Sequence, residues 1–128
     1  MTSSHIPDPL PPKGHSLPVD DLHASFTLFG FLPFGNSHNS LNPRLVLHPN
    51  QIEIKIMQTD FYDYQTIEKV DYWPSRLFRS SQVLLKLREG TTFYVYLPTA
   101  ATEKTFIQFL QARGIPVSAA AQSVMASG

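Results

Sequence analysis

The sequence predicts a mainly β (α+β) fold, in which a bent antiparallel sheet or open barrel of about seven strands is capped by one C-terminal α-helix. Three observations lead there. Short runs with alternating apolar residues are divided by turn signals, two pairs of these runs flank tight turns, and one late segment carries a helical start, stripe and stop.

The first run, SFTLFGF (25–31), is aromatic, with Phe29 and Phe31 on one face and Phe26 on the other. FGNSHNSLNP follows and reads as a long polar connection. RLVLH (44–48) and QIEIKIM (51–57) flank Pro49-Asn50, a hairpin turn whose Asn tolerates positive φ. Ile52, Ile54 and Ile56 alternate with Glu53, Lys55 and Met57, the pattern of a sheet with one buried face. QVLLKLR (82–88) and TTFYVYL (91–97) flank Glu89-Gly90, where glycine supplies a left-handed residue, and Val83, Leu85 and Leu87 alternate with Leu84, Lys86 and Arg88.

YDYQTIEKVDYWP (62–74) changes period midway. Tyr62 and Tyr64 alternate as in a strand, whereas Ile67, Val70 and Trp73 recur at helical spacing. A helix here has mediocre propensity and is too short to stand alone. A strand ending near Tyr64, a tight turn or bulge over 65–67 and a new strand over 68–73 account for both periods, with Ile67 plugging the core at a corner of the sheet.

The helix lies in AATEKTFIQFLQAR, where Phe106, Phe109, Leu110 and Arg113 fall near one face with Ile107 beside them. Thr99 is the expected N-cap, Glu103 lies near the positive end of the dipole, Gly114 is the left-handed C′ residue with Ile115 against Leu110, and Pro116 prevents continuation. Residues 1–21 contain Pro7, Pro9, Pro11, Pro12 and Pro18 among small polar residues and read as a disordered tail, with a P-x-x-P spacing from Pro9 to Pro12. The expected folded domain is 22–117, and 118–128 is a second flexible tail rich in small residues.

At 128 residues with 42% hydrophobic side chains the chain suits one domain with a continuous core. Ten Lys and Arg balance ten Asp and Glu, so no global field draws it to nucleic acid or an anionic membrane. The absence of cysteine rules out disulfides and thiolate sites and suits a reducing compartment, so a cytoplasmic chain is expected. The longest apolar-rich stretch, ASFTLFGFLPF, is far shorter than the ~20 residues of a spanning helix.

The arrangement resembles a bacterial pleckstrin-homology-like (PH-like) domain. RLVLHPNQIEIKI corresponds to its second and third strands, YDYQTIEKVDYW to the fourth and fifth, VLLKLREGTTFYVYL to the sixth and seventh, and TFIQFLQARGI to its terminal helix, while Tyr64, Ile67 and Val70 match the run at the junction of the middle strands. The resemblance implies a non-enzymatic module that binds protein and self-associates. Lipid-binding members place a Lys near the end of the first strand and an Arg pair along the second. Here no basic residue precedes Arg44 in that region, so specific phosphoinositide recognition is not expected.

No catalytic motif, metal site or cofactor-binding loop is recognisable. His5, His15, His23, His38 and His48 have no ligand spacing, and Asp60, Asp63, Glu68 and Asp71 read as solvated charges around a strand junction. Two surfaces are candidates for function. Phe31, Leu32 and Phe34, beside the FGNSHNS loop, form an apolar patch for a protein partner, a second copy or shallow membrane contact, and an edge strand offers another route to association. Arg76, Arg79, Lys86 and Arg88, with Trp73 and Phe78 interleaved, form the alternative, a local patch for an anionic ligand or peripheral membrane; nucleic acid is not expected at zero net charge.

Overall fold

The two hairpins read from the sequence form the centres of two antiparallel sheets. The computed structural model describes residues 6–28, 32–38, 43–56, 58–77 and 79–126, with the backbone alone at 26–28 and 32–38. The strands are β1 (His15–Leu17), β2 (Asp21–Leu28), β3 (Leu32–His38), β4 (Arg44–Leu47), β5 (Gln51–Lys55), β6 (Thr59–Asp63), β7 (Ile67–Trp73), β8 (Gln82–Leu87) and β9 (Thr91–Tyr96), followed by helices α1 (Ala100–Ala112) and α2 (Ala119–Ala126). One sheet has the order β1-β4-β5-β6 and the other β3-β2-β9-β8-β7.

In the first hairpin the His48 N–H donates to the Gln51 carbonyl at 2.9 Å, and Ile52, Ile54 and Ile56 are buried. In the second, Gly90 adopts φ 110° and donates to Leu87 O at 3.1 Å, the left-handed turn that a side chain would strain. The inner faces of both sheets enclose one core, which α1 covers with Phe106, Ile107 and Leu110. The α1 caps are those expected: the Thr99 side chain accepts from the Thr102 N–H at 3.1 Å, and beyond the helix Gly114 has φ 86° with Ile115 N–H donating to Leu110 O at 3.4 Å.

The 62–74 stretch forms the corner between the sheets. After β6 ends at Asp63, a single 3₁₀ turn (Tyr64–Thr66) redirects the chain into β7, where Ile67 pairs with Leu87. A register shift between Ile67 and Lys69 puts both Ile67 and Val70 in the core, which explains the three-residue spacing without a helix. The opposite corner is made by β1 and β2, which flank Pro18: β1 pairs with β4 in one sheet and β2 with β9 in the other.

Three expectations are corrected. Part of the disordered segment expected over 1–21 is ordered: Leu17 is in the core, Ile6, Leu10 and Val19 pack against it, and His15–Leu17 is a strand. Three residues are too few to show a period, and their pairing partner lies in β4, distant in sequence. The polar connection carries the larger part of β3, because ladder hydrogen bonds come from the backbone and a strand at a sheet edge requires no apolar side chains. Within the tail expected over 118–128, Ala119–Ala126 forms α2, held by the Val70 N–H to Pro116 O (2.9 Å), the Ser118 N–H to Val70 O (2.9 Å) and Ser118 Oγ to Asp71 Oδ1 (2.7 Å). Ser118 Oγ also accepts from the Ala121 N–H as the helix cap, and Ala121 is fully buried. Among the described residues, no helix is long and apolar enough to cross a membrane.

Candidate functional site

Strand periodicity divides the five-stranded sheet into an inner face, with Val83, Leu85, Phe93 and Val95 in the core, and an outer face carrying Trp73, Gln82, Tyr94 and Tyr96. β2 adds His23 and Ser25 to that outer face, with His23 directly opposite Tyr94. These residues line a groove of about 310 Å³, and Arg79, from the segment joining β7 to β8, completes it.

The groove is built by aromatic and hydroxyl contacts. The Trp73 and Tyr94 rings are 5.7 Å apart, the His23 and Tyr96 rings 5.3 Å apart, and Ser25 Oγ hydrogen-bonds Tyr94 OH at 2.9 Å. The Arg79 guanidinium carbon sits 5.1 Å from the Trp73 ring centre, within reach of a cation–π interaction. A backbone exchange fixes Arg79 there: its N–H donates to Arg76 O at 2.9 Å and its carbonyl accepts from the Arg76 N–H at 2.8 Å. Arg79 Nη2 donates to Pro74 O at 3.4 Å, whereas its Nε is buried and has no hydrogen-bond partner among the described residues. Trp73 remains 39% exposed, so the ring is both stacked and open to a ligand.

The basic residues read from the sequence do not converge. Lys86 Nζ is 3.5 Å from Asp71 Oδ2, and Arg88 Nε donates to Gln65 O at 3.1 Å towards the other end of β8. Strand rise puts Lys86 roughly 13 Å from Gln82 along β8, too far to share one phosphate with Arg79. Phe31 lies outside the described residues, as do the side chains of Leu32 and Phe34 in β3. Among the described residues no group of three His, Asp or Glu side chains is placed to hold a metal ion.

At Asp71, burial pushes the carboxyl up, but hydrogen bonds from Ser118 and the Tyr72 N–H, with Lys86 and Lys69 nearby, outweigh it and hold the group below its ordinary value. Asp21, His23 and Ser25 share one face of β2, and His23 Nε2 is 3.3 Å from Asp21 Oδ2. The Ser25 hydroxyl is engaged with Tyr94 rather than aligned on the imidazole, so the described contacts do not form a nucleophile–base pair. What the groove can do chemically is stack planar or apolar groups and donate hydrogen bonds from a guanidinium.

Sequence reasoning found Arg79 and Trp73 but missed Tyr94, Tyr96, His23 and Ser25. A signal was present in TTFYVYL, where Phe93 and Val95 point inwards and so direct Tyr94 and Tyr96 outwards. No protein-family model and no curated protein matches this chain. The site's chemistry rests on its own residues.

Proposed function

We propose that this chain is a non-enzymatic PH-like interaction module, cytoplasmic in its setting, which binds a short segment of a protein partner in the aromatic groove of its five-stranded sheet. The observation that carries the reading is Arg79, stacked on a partly exposed Trp73 with a buried Nε lacking a partner, beside two tyrosines. Trp, Tyr and Arg dominate the energetics of protein interfaces, because each combines a large apolar surface with a polar donor. An acceptor on the partner, a carbonyl or carboxylate, would bond the guanidinium beside the Trp73 ring, the Nε itself being buried. The PH-like part of the reading is supported by the two corners, by the order of the hairpins and by the helix that closes the core.

Self-association through an edge strand is less well supported. β6 is an edge with Phe61 52% exposed, but pairing two antiparallel copies about Phe61 and Tyr62 brings Asp60 opposite Asp63 of the other copy. β7 is already partly covered by the segment around Val117. The anionic-ligand alternative loses its multidentate clamp, since Lys86 and Arg88 are engaged elsewhere.

Selection of peptides from a random display library against the purified chain tests the proposal. Enriched peptides should share a short motif, and their affinity should fall at least about tenfold for Trp73→Ala and Arg79→Ala. Enriched peptides that bind both variants as well as the parent would remove the groove from the function.

A further inference from the structure

We propose that the cleft between α1 and α2 is a second binding site, selective for a small organic monocation such as an alkylammonium group that pairs with the buried carboxylate of Glu103. The cleft, about 680 Å³, lies on the side of the molecule formed by the end of β7 and the two helices, and Glu103 forms part of its wall. That volume falls in the range of small-molecule sites.

Glu103 is 3% exposed and is the most deeply buried acidic residue described. Among the described residues its two oxygens accept from hydroxyls: Tyr72 OH at 3.1 Å on Oε1 and Ser81 Oγ at 2.6 Å on Oε2. Among the described ion pairs, none includes Glu103. A carboxylate offers about four acceptor directions and these two hydrogen bonds use two of them, so a cation seated in the cleft that Glu103 lines would find acceptor capacity to spare.

The other walls define the ligand's remainder. Ala100, Ala101, Ala120 and Val124 present small apolar surfaces, which suit a short alkyl chain. Lys104 also lines the cleft, and Glu103 stands in the first turn of α1, at the positive end of the helix dipole. Both limit the ligand to a single positive charge, so a polyamine is disfavoured. This site shares no residue with the sheet groove, and the proposal stands or falls independently of the peptide-binding reading.

The test is an amide NMR titration of the full chain with n-butylammonium, with n-butanol as the neutral isostere and spermidine as the polycation. Saturable shifts at Ala101, Ala120 and Ser123 are expected with n-butylammonium, at least about tenfold weaker binding with n-butanol, and no gain with spermidine. Glu103→Gln keeps the side-chain shape and an oxygen acceptor for the hydroxyls, and should abolish the preference for the ammonium over the alcohol. Ala120→Leu, at an exposed position on the rim, should block the cleft while leaving the fold intact, so the inference remains testable if Glu103→Gln does not fold. Absence of saturable shifts in the parent chain, equal binding of n-butanol, or unchanged binding in Ala120→Leu would overturn it.

Discussion

The outer faces of the two sheets carry similar side chains in opposite states. On the four-stranded sheet, Glu53 accepts from Arg44 Nη2 at 3.0 Å and lies 2.8 Å from His48 Nε2, while the His48 ring rests 5.9 Å from Phe61. On the five-stranded sheet, Arg79 stacks on Trp73 with its Nε unpartnered. The first cluster gathers a histidine and an arginine around a central carboxylate that both contact, with an aromatic ring beside the imidazole. In the second, no carboxylate pairs with the arginine among the described ion pairs, so its charge is left for a partner. A surface that satisfies itself stabilises the fold; one that leaves a donor unused is suited to binding.

The largest disruption should come from the corner that joins both faces. Ile67 is 2% exposed against both sheets, so Ile67→Asp buries an unpaired carboxylate and should cost more than about 4 kcal/mol. A cooperative thermal transition near that of the parent chain would contradict the corner assignment.

Glu53→Ala should be next. Removing the shared acceptor leaves His48 and Arg44 without it, and because Arg44 is half-exposed and can recover water, the loss should be about 1–3 kcal/mol by urea unfolding. Gly14→Ala probes the neighbouring support. Gly14 has φ 87°, and a Cβ there would lie 2.6 Å from Val46 Cγ1 and 2.7 Å from His48 Nδ1. It should detach the N-terminal segment at a cost of about 1–3 kcal/mol, read as faster amide exchange in β1.

The two sheets should also differ in their response to pH. Burial pushes the Tyr64 hydroxyl, which donates to His48 O at 2.7 Å, up to about 12, with Arg113 pulling the other way, and burial with nearby Asp60 and Glu89 raises Tyr62. Above the ordinary value near 10 the unfolded chain loses tyrosine protons that the folded chain retains. This stability is complete below that value and is lost as pH rises towards about 12. Asp71 has the opposite sign: its lowered value gives stability present above its ordinary value of 3.8 and lost as pH falls through the folded value. In alkali amide exchange should therefore rise around β6 and around Tyr72 of β7, whose hydroxyl burial also raises, and in acid around α2 and β7 while β6 stays protected. Loss of β6 protection in acid would break the comparison.

Arg79→Ala should change stability least, by less than about 0.5 kcal/mol, while removing peptide binding. A large loss of stability with binding retained would make the groove another self-supporting surface.

The chain's own letters determine what depends on near neighbours. Pro49-Asn50 and Glu89-Gly90 mark their hairpins, Thr99 and Gly114 mark the ends of α1, and the broken period across Tyr64, Ile67 and Val70 marks the corner. Each is a backbone preference or a spacing satisfied within one or two turns of chain. Tertiary structure alone decides the groove, the Glu53 cluster's outward role and the docking of both terminal segments. Ser25 meets Tyr94 across 69 residues, Ser81 meets Glu103 across 22, and Ser118 meets Asp71 across 47. Such meetings depend on strand order and register, which local periodicity does not encode, because any strand of the same pattern could have stood alongside.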